Sequence, residues 1–337
     1  MARQTKKRQT TVGEWGERAL IRWLLNRKQK KPARTRFPLE IGVGDDAAVI
    51  GSRQGSRLLI SCDQLVQDVH FLIDRASPFD IGWKAAAVNI SDIAGMGGRP
   101  LYLMVSLAAS STTRSAWVRS FYRGFLKVAG AHGVSLIGGD TSASPGPLFL
   151  DVVIIGESTR PILRSGAQPG DAIYVTRTLG DSAAGLQALQ RGLRFPGLLK
   201  RHLQPQPEIL IGQALAKHNI PSAMMDMSDG LSRDLRNLCE ASGCGATIDV
   251  RALPISRDLQ RFCDQMSSDP RHLALHGGED YGLLLTVPPG KAKALRRVGA
   301  FHCIGTIIEH GIELDDGEAV RPLPEGSWEH FSRKDDS

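Results

Sequence analysis

Apolar residues recur at helical spacing over Thr113–Ala131, where Trp117, Phe121, Phe125 and Val128 share one face and Gly130 and Gly133 mark the end. The same spacing predicts helices over Val12–Leu25, with Trp15, Ala19 and Trp23 in its stripe, and over the Ala-rich Asp80–Met96. Further helices are expected over Ser182–Arg191, Pro207–His218 and Asp229–Ala241, the last with Leu231, Leu235 and Leu238 on one face. Runs with β-branched or aromatic content predict strands at Leu58–Cys62, Leu101–Ala108, Phe149–Ile155, Ala172–Thr176, Tyr281–Val287 and Cys303–Ile308. Strands and helices mix in both halves, and the texture changes after Gly156, ahead of the turn-rich Ser165–Asp171. An α/β (α+β) chain of two domains is therefore expected, divided near 157–165 into 12–158 and 159–337 behind a leader 1–11.

The length of 337 residues fits two domains. No run of 18 apolar residues occurs, and the first thirty residues lack the apolar core of a secretory signal, so a cytoplasmic chain is expected. The net charge of +7 is unevenly placed. Residues 1–36 hold 12 Lys and Arg against Glu14 and Glu17, a net of +10; the remainder has 30 against 33 acids, a net of −3. The basic character belongs to the leader, which has no aromatic interleaving at its start and reads as a solvated, disordered arm rather than a nucleic-acid module. The five cysteines, Cys62, Cys239, Cys244, Cys263 and Cys303, are odd in number and form no CxxC pair, so reduced thiols are expected. His272 and His276 have the i, i+4 spacing of a metal pair but lack the Glu of HExxH, and are read as chance.

The chemistry sits where glycine and aspartate coincide. Six clusters punctuate the chain: Gly42–Asp46, Ser61–Asp63, Asn89–Asp92, Gly138–Thr141, Asp226–Gly230 and Gly277–Asp280. One such cluster would be read as helix capping or an Asx turn. Six of them gather hard oxygen ligands without His or Cys partners, the donor set of Mg²⁺ shared with substrate phosphates. Clustered carboxylates need cations, so more than one Mg²⁺ and a polyanionic ligand are expected, which is phosphoryl-transfer chemistry. No GxxxxGK[ST], GxGxxG, HRD, DFG or GxSxG motif is present, so ATP would need another fold.

The strings GVGDDAAVI (42–50), CDQLVQDVHF (62–71), KAAAVNISDIAGMGGRP (84–100), IGGDTS (137–142), RSGAQPGDAIYVTRTLGDSAAGL (164–186), MDMSDGLSRDL (225–235) and GGEDYGLLLTVP (277–288) resemble the thiamine-monophosphate kinase family, in that family's order. That family sits in a superfamily with aminoimidazole ribonucleotide synthetase and selenophosphate synthetase. The resemblance implies an N-terminal mixed sheet, binding ATP and Mg²⁺, that pairs across a homodimer, and a C-terminal α+β domain closing over the site. It implies ATP-dependent phosphorylation of thiamine monophosphate to thiamine diphosphate, the last step of thiamine diphosphate synthesis.

By motif position the resemblance implies Mg²⁺ ligands at Asp46, Cys62, Asp63, Asp92, Asp140, Asp226 and Asp229, with Asp45 an accessory acid. It implies ATP contacts at Gly139, Asp140, Arg164 and Ser228, and thiamine monophosphate contacts at His70, Glu279 and, from GSWEHF (326–331), Trp328. No residue takes a covalent or general-base role, because the acceptor phosphate is largely ionised near neutral pH and direct in-line transfer needs no strong base. Five positions depart from the family pattern: Cys62 for Thr or Ser, Gln67-Asp68 for Glu-Gly, Gly98 for Ala and Gly282 for an acid. If position 62 binds metal through its carbonyl, the change costs little; if through a hydroxyl, one ligand is lost. Two rivals are weaker. Selenophosphate synthetase would want a reactive Cys in a glycine-rich first loop, and no Cys precedes Cys62. A non-catalytic RNA-binding protein gives no reason for six acid clusters, which repel nucleic acid. Neither nucleic acid nor membrane is expected as a partner.

Overall fold

The computed structural model describes residues 37–42, 44–51, 55–324 and 326. The helix expected over Val12–Leu25, the loop Lys28–Arg36 and Trp328 lie outside the described residues. The first sheet is built from β1 (Leu39–Ile41), β2 (Ala48–Gly51), β3 (Arg57–Val66), β4 (Arg99–Ala109), β5 (Ser135–Ala143) and β6 (Phe149–Ser158). Their order is β1-β2-β3-β6-β4-β5, and only the β4–β5 pair is parallel. The second sheet uses β7 (Ala172–Val175), β8 (Ala223–Asp226), β9 (Gly245–Asp249), β10 (Leu283–Val287), β11 (His302–Ile308), β12 (Ile312–Asp315) and β13 (Val320–Pro322), in the order β13-β12-β9-β11-β7-β10-β8.

Helices α1 (Pro78–Gly95) and α2 (Ser115–Ala131) cover one face of the first sheet. Helix α1 starts where Ser77 caps it, its side chain accepting from the Asp80 N–H at 3.1 Å, with Pro78 in the first turn. Its Ala-rich middle is buried all round, because α2, the sheet and the C-terminal half each cover one side. The two helices touch backbone to backbone. A Cβ on Gly82 would strike the Phe121 carbonyl, and one on Gly124 would strike that of Phe79. Phe121 and Phe125 of α2 are fully buried there, as their spacing predicts, and truncating either to Ala should cost about 3–5 kcal/mol.

The C-terminal half adds α3 (Asp181–Arg191), α4 (Pro196–Leu203), α5 (Ile209–Lys217), α6 (Leu231–Ser242), α7 (Arg257–Met266), α8 (Pro270–His276) and α9 (Ala292–Val298). The halves are joined along α1. Trp83 Nε1 donates to the Pro205 carbonyl at 2.8 Å, Gln204 Nε2 to Asp80 at 2.7 Å, and Gly212 of α5 leaves no room for a Cβ against the Ala94 carbonyl. His272 and His276 lie side by side on α8 with ring centroids 5.0 Å apart and planes tilted by 57°, and His276 Nδ1 is hydrogen-bonded to Ser232 Oγ at 2.9 Å.

Two of the departures from the family pattern have a local consequence. Asp68 takes a left-handed backbone, φ 61°, at the position where the resemblance implies glycine. Gly98 is packed so that a Cβ would lie 2.5 Å from Leu59 Cδ1 and 3.0 Å from Ile93 Cγ2, so alanine there would require both to move.

Candidate active site

Strand β3 alternates, with Leu59 and Leu65 facing the helices and Cys62 and Gln64 facing away. Asp63 shares the inward parity, and its N–H donates to Asn89 Oδ1 of α1 at 3.2 Å. One stripe of α1, Lys84, Val88, Ser91 with Asp92, and Gly95, looks toward the C-terminal half at i, i+4, i+7/8 and i+11. Gly95 must be glycine, since its Cβ would strike Asp46 Oδ2. Asp46, just before β2, thus reaches the end of α1, where the Asp226 N–H donates to it at 3.3 Å.

Asp46, Asp63, Asp92, Asp226 and Asp229, drawn from both halves, therefore lie near enough to act on one another's charge. Burial, then repulsion by Asp229 and Asp46, pushes Asp63 up to about 6. Burial, then Asp46, pushes Asp226 up to about 8. Asp92 is held well above the usual carboxylate range by burial and then by Asp63 and Asp226. Asp46 is raised by burial although Arg164 opposes it. Arg164 Nε donates to Asp46 Oδ1 at 2.6 Å, and its backbone N–H to Asp45 Oδ2 at 3.1 Å.

The donor set fits a divalent cation. Asp92 Oδ2 and Asp226 Oδ2 are buried without a hydrogen-bond partner, and such atoms are costly unless a cation meets them. Among the described residues no three His, Cys, Asp or Glu side chains converge closely enough to form a complete metal cage. A divalent cation here would take one or two of these carboxylates and complete its shell with waters and phosphates.

Above these acids two loops are zipped together. The Glu279 N–H donates to the Ser228 carbonyl at 2.7 Å, Tyr281 N–H to Met227 O at 2.9 Å, and Met227 N–H to Gly282 O at 2.9 Å. Glu279 and Tyr281 both have positive φ, 66° and 48°, a strained backbone of the kind stored at functional sites. Asp280 accepts from Gly180 N–H at 2.7 Å and Ser182 N–H at 3.2 Å, capping α3. Glu279 is paired with Lys84 Nζ at 2.6 Å and His202 Nδ1 at 3.3 Å. Burial and then Lys84 push His202 down to about 3, so it stays neutral. His70, in the loop before α1, accepts the Val66 N–H on Nδ1 at 2.9 Å, which puts its ring proton on Nε2.

Ligation by the Cys62 thiol does not fit. Its Sγ donates to Asp151 at 3.1 Å on the opposite face of β3 from Asp63, and partial burial, then Asp151, pushes the thiol up to about 12. Only its backbone carbonyl is left as a donor. Gly139 and Asp140 stand apart on the edge strand β5, where Asp140 is exposed and in register with Ser106, which also faces Asp151 of β6. Sequence reasoning did not single out Lys84 or His202, and named Asn89 only as the start of the Asn89–Asp92 cluster. A lysine opening an otherwise apolar Ala-rich stretch was the available signal for Lys84; His202 carried none.

Two protein-family models match in tandem: AIR synthase related protein, N-terminal domain, over 44–158, and its C-terminal domain over 168–316. The two mixed sheets with acids gathered between them are thus the AIR synthase related architecture. The thiamine-monophosphate kinase of Escherichia coli K12 is 40% identical over 312 residues, 88% of this chain and 94% of that one. A solved structure described as AaThiL complexed with AMPPCP and TMP superposes with a TM-score of 0.85 at 31% identity, covering 97% of this chain and all of that one. The thiamine monophosphate kinase of Aquifex aeolicus gives 0.75 at 32%, covering 88% and 94%. The chain belongs to the thiamine-monophosphate kinase family.

Proposed function

We propose that this chain transfers the γ-phosphoryl group of ATP to thiamine monophosphate, giving thiamine diphosphate and ADP. The observation that carries the reading is the pair of orphaned buried oxygens on Asp92 and Asp226, whose charges act on each other and on Asp63, in a chain this similar to a structure described with AMPPCP and TMP. Mg²⁺ held by Asp46, Asp63, Asp92, Asp226 and Asp229 supplies neutralisation of the phosphate charges. Arg164 brings a fixed cation, already oriented by Asp46, to the phosphates with its remaining donors. Ser228 and Gly139 belong to the nucleotide side, and His70, Glu279 and Trp328 to the acceptor.

No residue needs to take a proton. The acceptor phosphate is largely ionised near neutral pH, and the nearby imidazoles are engaged, His202 with Glu279 and His70 with the Val66 N–H. The chain's task is to hold two anions in line and to exclude water.

A homodimer is supported by the sheet face opposite α1 and α2, where Ile60, Ile155 and Tyr102 lie in register. Tyr102 there is 44% exposed, an apolar face suited to a second copy. Asp140 would act from that side. Among the described residues no helix is long and apolar enough to cross a membrane; we place the enzyme in the cytoplasm on its substrates. The direct route is tested by incubating the protein with [γ-³²P]ATP alone. It predicts no labelled protein, and label in thiamine diphosphate once thiamine monophosphate is added; a phosphorylated enzyme that discharges to the acceptor would replace it with a two-step route.

A further inference from the structure

Lys84 is the one lysine of α1, and its side chain is only 3% exposed. It stands eight residues before Asp92, on the same helix stripe. Its ammonium meets Glu279 Oε1 at 2.6 Å and reaches the His70 carbonyl at 3.4 Å. The second carboxylate oxygen of Glu279 faces His202 Nδ1 at 3.3 Å, and that nitrogen also faces Ser182 Oγ at 3.2 Å. One buried ammonium thus ties together the loop before α1, the loop before β10 and, through Glu279, helix α4.

Nothing about packing calls for a charge at this position. The joint between α1 and the C-terminal half already has Trp83 on the Pro205 carbonyl, Asp80 on Gln204 and the Gly212–Ala94 contact. A buried ion pair is weak evidence for stability, since apolar residues of like volume are often as good. Its better-attested use is to fix one arrangement among several. Here the arrangement includes Glu279 with a left-handed backbone, which surrounding contacts must hold.

We propose that Lys84 is a positioning residue for the acceptor: by clamping Glu279 and the His70 carbonyl together, it docks the 277–281 loop on α1 and sets the distance between the two side chains that receive thiamine monophosphate. The inference rests on the reading of Glu279 and His70 as acceptor contacts. On the nucleotide side Asp46 and Arg164 pair with each other and not with the clamp, and the Ser228 carbonyl is met by the Glu279 backbone N–H rather than by its clamped carboxylate, so Lys84 governs the acceptor and not the nucleotide.

The test is steady-state kinetics of the full chain, varying each substrate at saturating concentration of the other. Lys84→Met should raise KM for thiamine monophosphate at least tenfold while KM for ATP stays within threefold and kcat falls less than KM rises. Glu279→Gln should shift the same KM, and the double variant should be no worse than the poorer single, because both break one clamp. If Lys84→Met fails to fold by circular dichroism, Lys84→Gln carries the same expectation. An unchanged acceptor KM, equal shifts for both substrates, or additive effects of the two substitutions would overturn the assignment while leaving the kinase reading intact. A folded wild-type chain that does not phosphorylate thiamine monophosphate would overturn that reading and this inference with it.

Discussion

Arg164, on the segment between the two sheets, is locked to Asp46 of the first half by its guanidinium and to Asp45 by its backbone N–H. The Asp46 carboxylate is fully buried, and the arginine is the cation beside it. The pair is therefore both a joint between halves and the positive edge of an acidic cleft. Arg164→Met should cost about 3–5 kcal/mol in urea unfolding, because it leaves Asp46 buried and unpaired. Adding Asp46→Asn should recover much of that stability without recovering activity. Additive losses in the double variant would show that the two side chains do not act on each other.

Asp63→Asn and Asp92→Asn should each remove most activity while leaving the fold intact, since each carboxylate holds Mg²⁺ against the triphosphate. Wild-type-like turnover at ordinary Mg²⁺ in either variant would remove that residue from the metal set.

The same carboxylates shape stability without metal. A carboxyl whose value is raised on folding contributes stability that is complete below its unfolded value near 4 and is lost as pH rises through the folded one. For Asp63 and Asp226 those folded values are about 6 and about 8. The Mg²⁺-free protein should therefore melt at lower temperature at pH 8 than at pH 5.5. Asp63→Asn should raise the melting temperature at pH 8 by on the order of 5 °C and flatten the profile. A wild-type melting temperature that rises from pH 5.5 to 8 in chelator would contradict the electrostatic account.

His70→Ala should raise KM for thiamine monophosphate more than it lowers kcat, because its Nδ1 is committed to the Val66 N–H and its role is to bind. A large fall in kcat with unchanged KM would instead assign it to the transition state.

Deleting residues 1–11 should leave kcat unchanged, since the family match begins beyond the arm and the arm contains no acid. A large loss on truncation would show that the arm reaches the active site.

Much of this was legible in the chain. Phe121 and Phe125 announced α2 because one face of a surface helix is apolar, and the Asp–Gly clusters announced the cleft because close approach and hard ligands need those residues. Strand β5 was missed, since SLIGGDTSA is an edge strand exposed almost throughout and shows no alternation. Strand β8 was missed for the opposite reason: its four residues are all buried. Helix α7 was overlooked although Ser256 caps it and Leu259, Phe262 and Cys263 give a buried stripe. The family pattern at position 62 pointed to a ligand, but only strand parity reveals that the thiol faces Asp151. Lys84 stands out in its Ala-rich stretch, but its role was not legible because it depends on Glu279, 195 positions away in sequence.

The central claim is tested most directly by chromatographic analysis of the purified protein incubated with ATP, Mg²⁺ and thiamine monophosphate. The account predicts thiamine diphosphate formed one-for-one with ADP, abolished by chelator and absent when thiamine monophosphate is omitted. ADP release that does not depend on thiamine monophosphate, with no thiamine diphosphate formed, would contradict it.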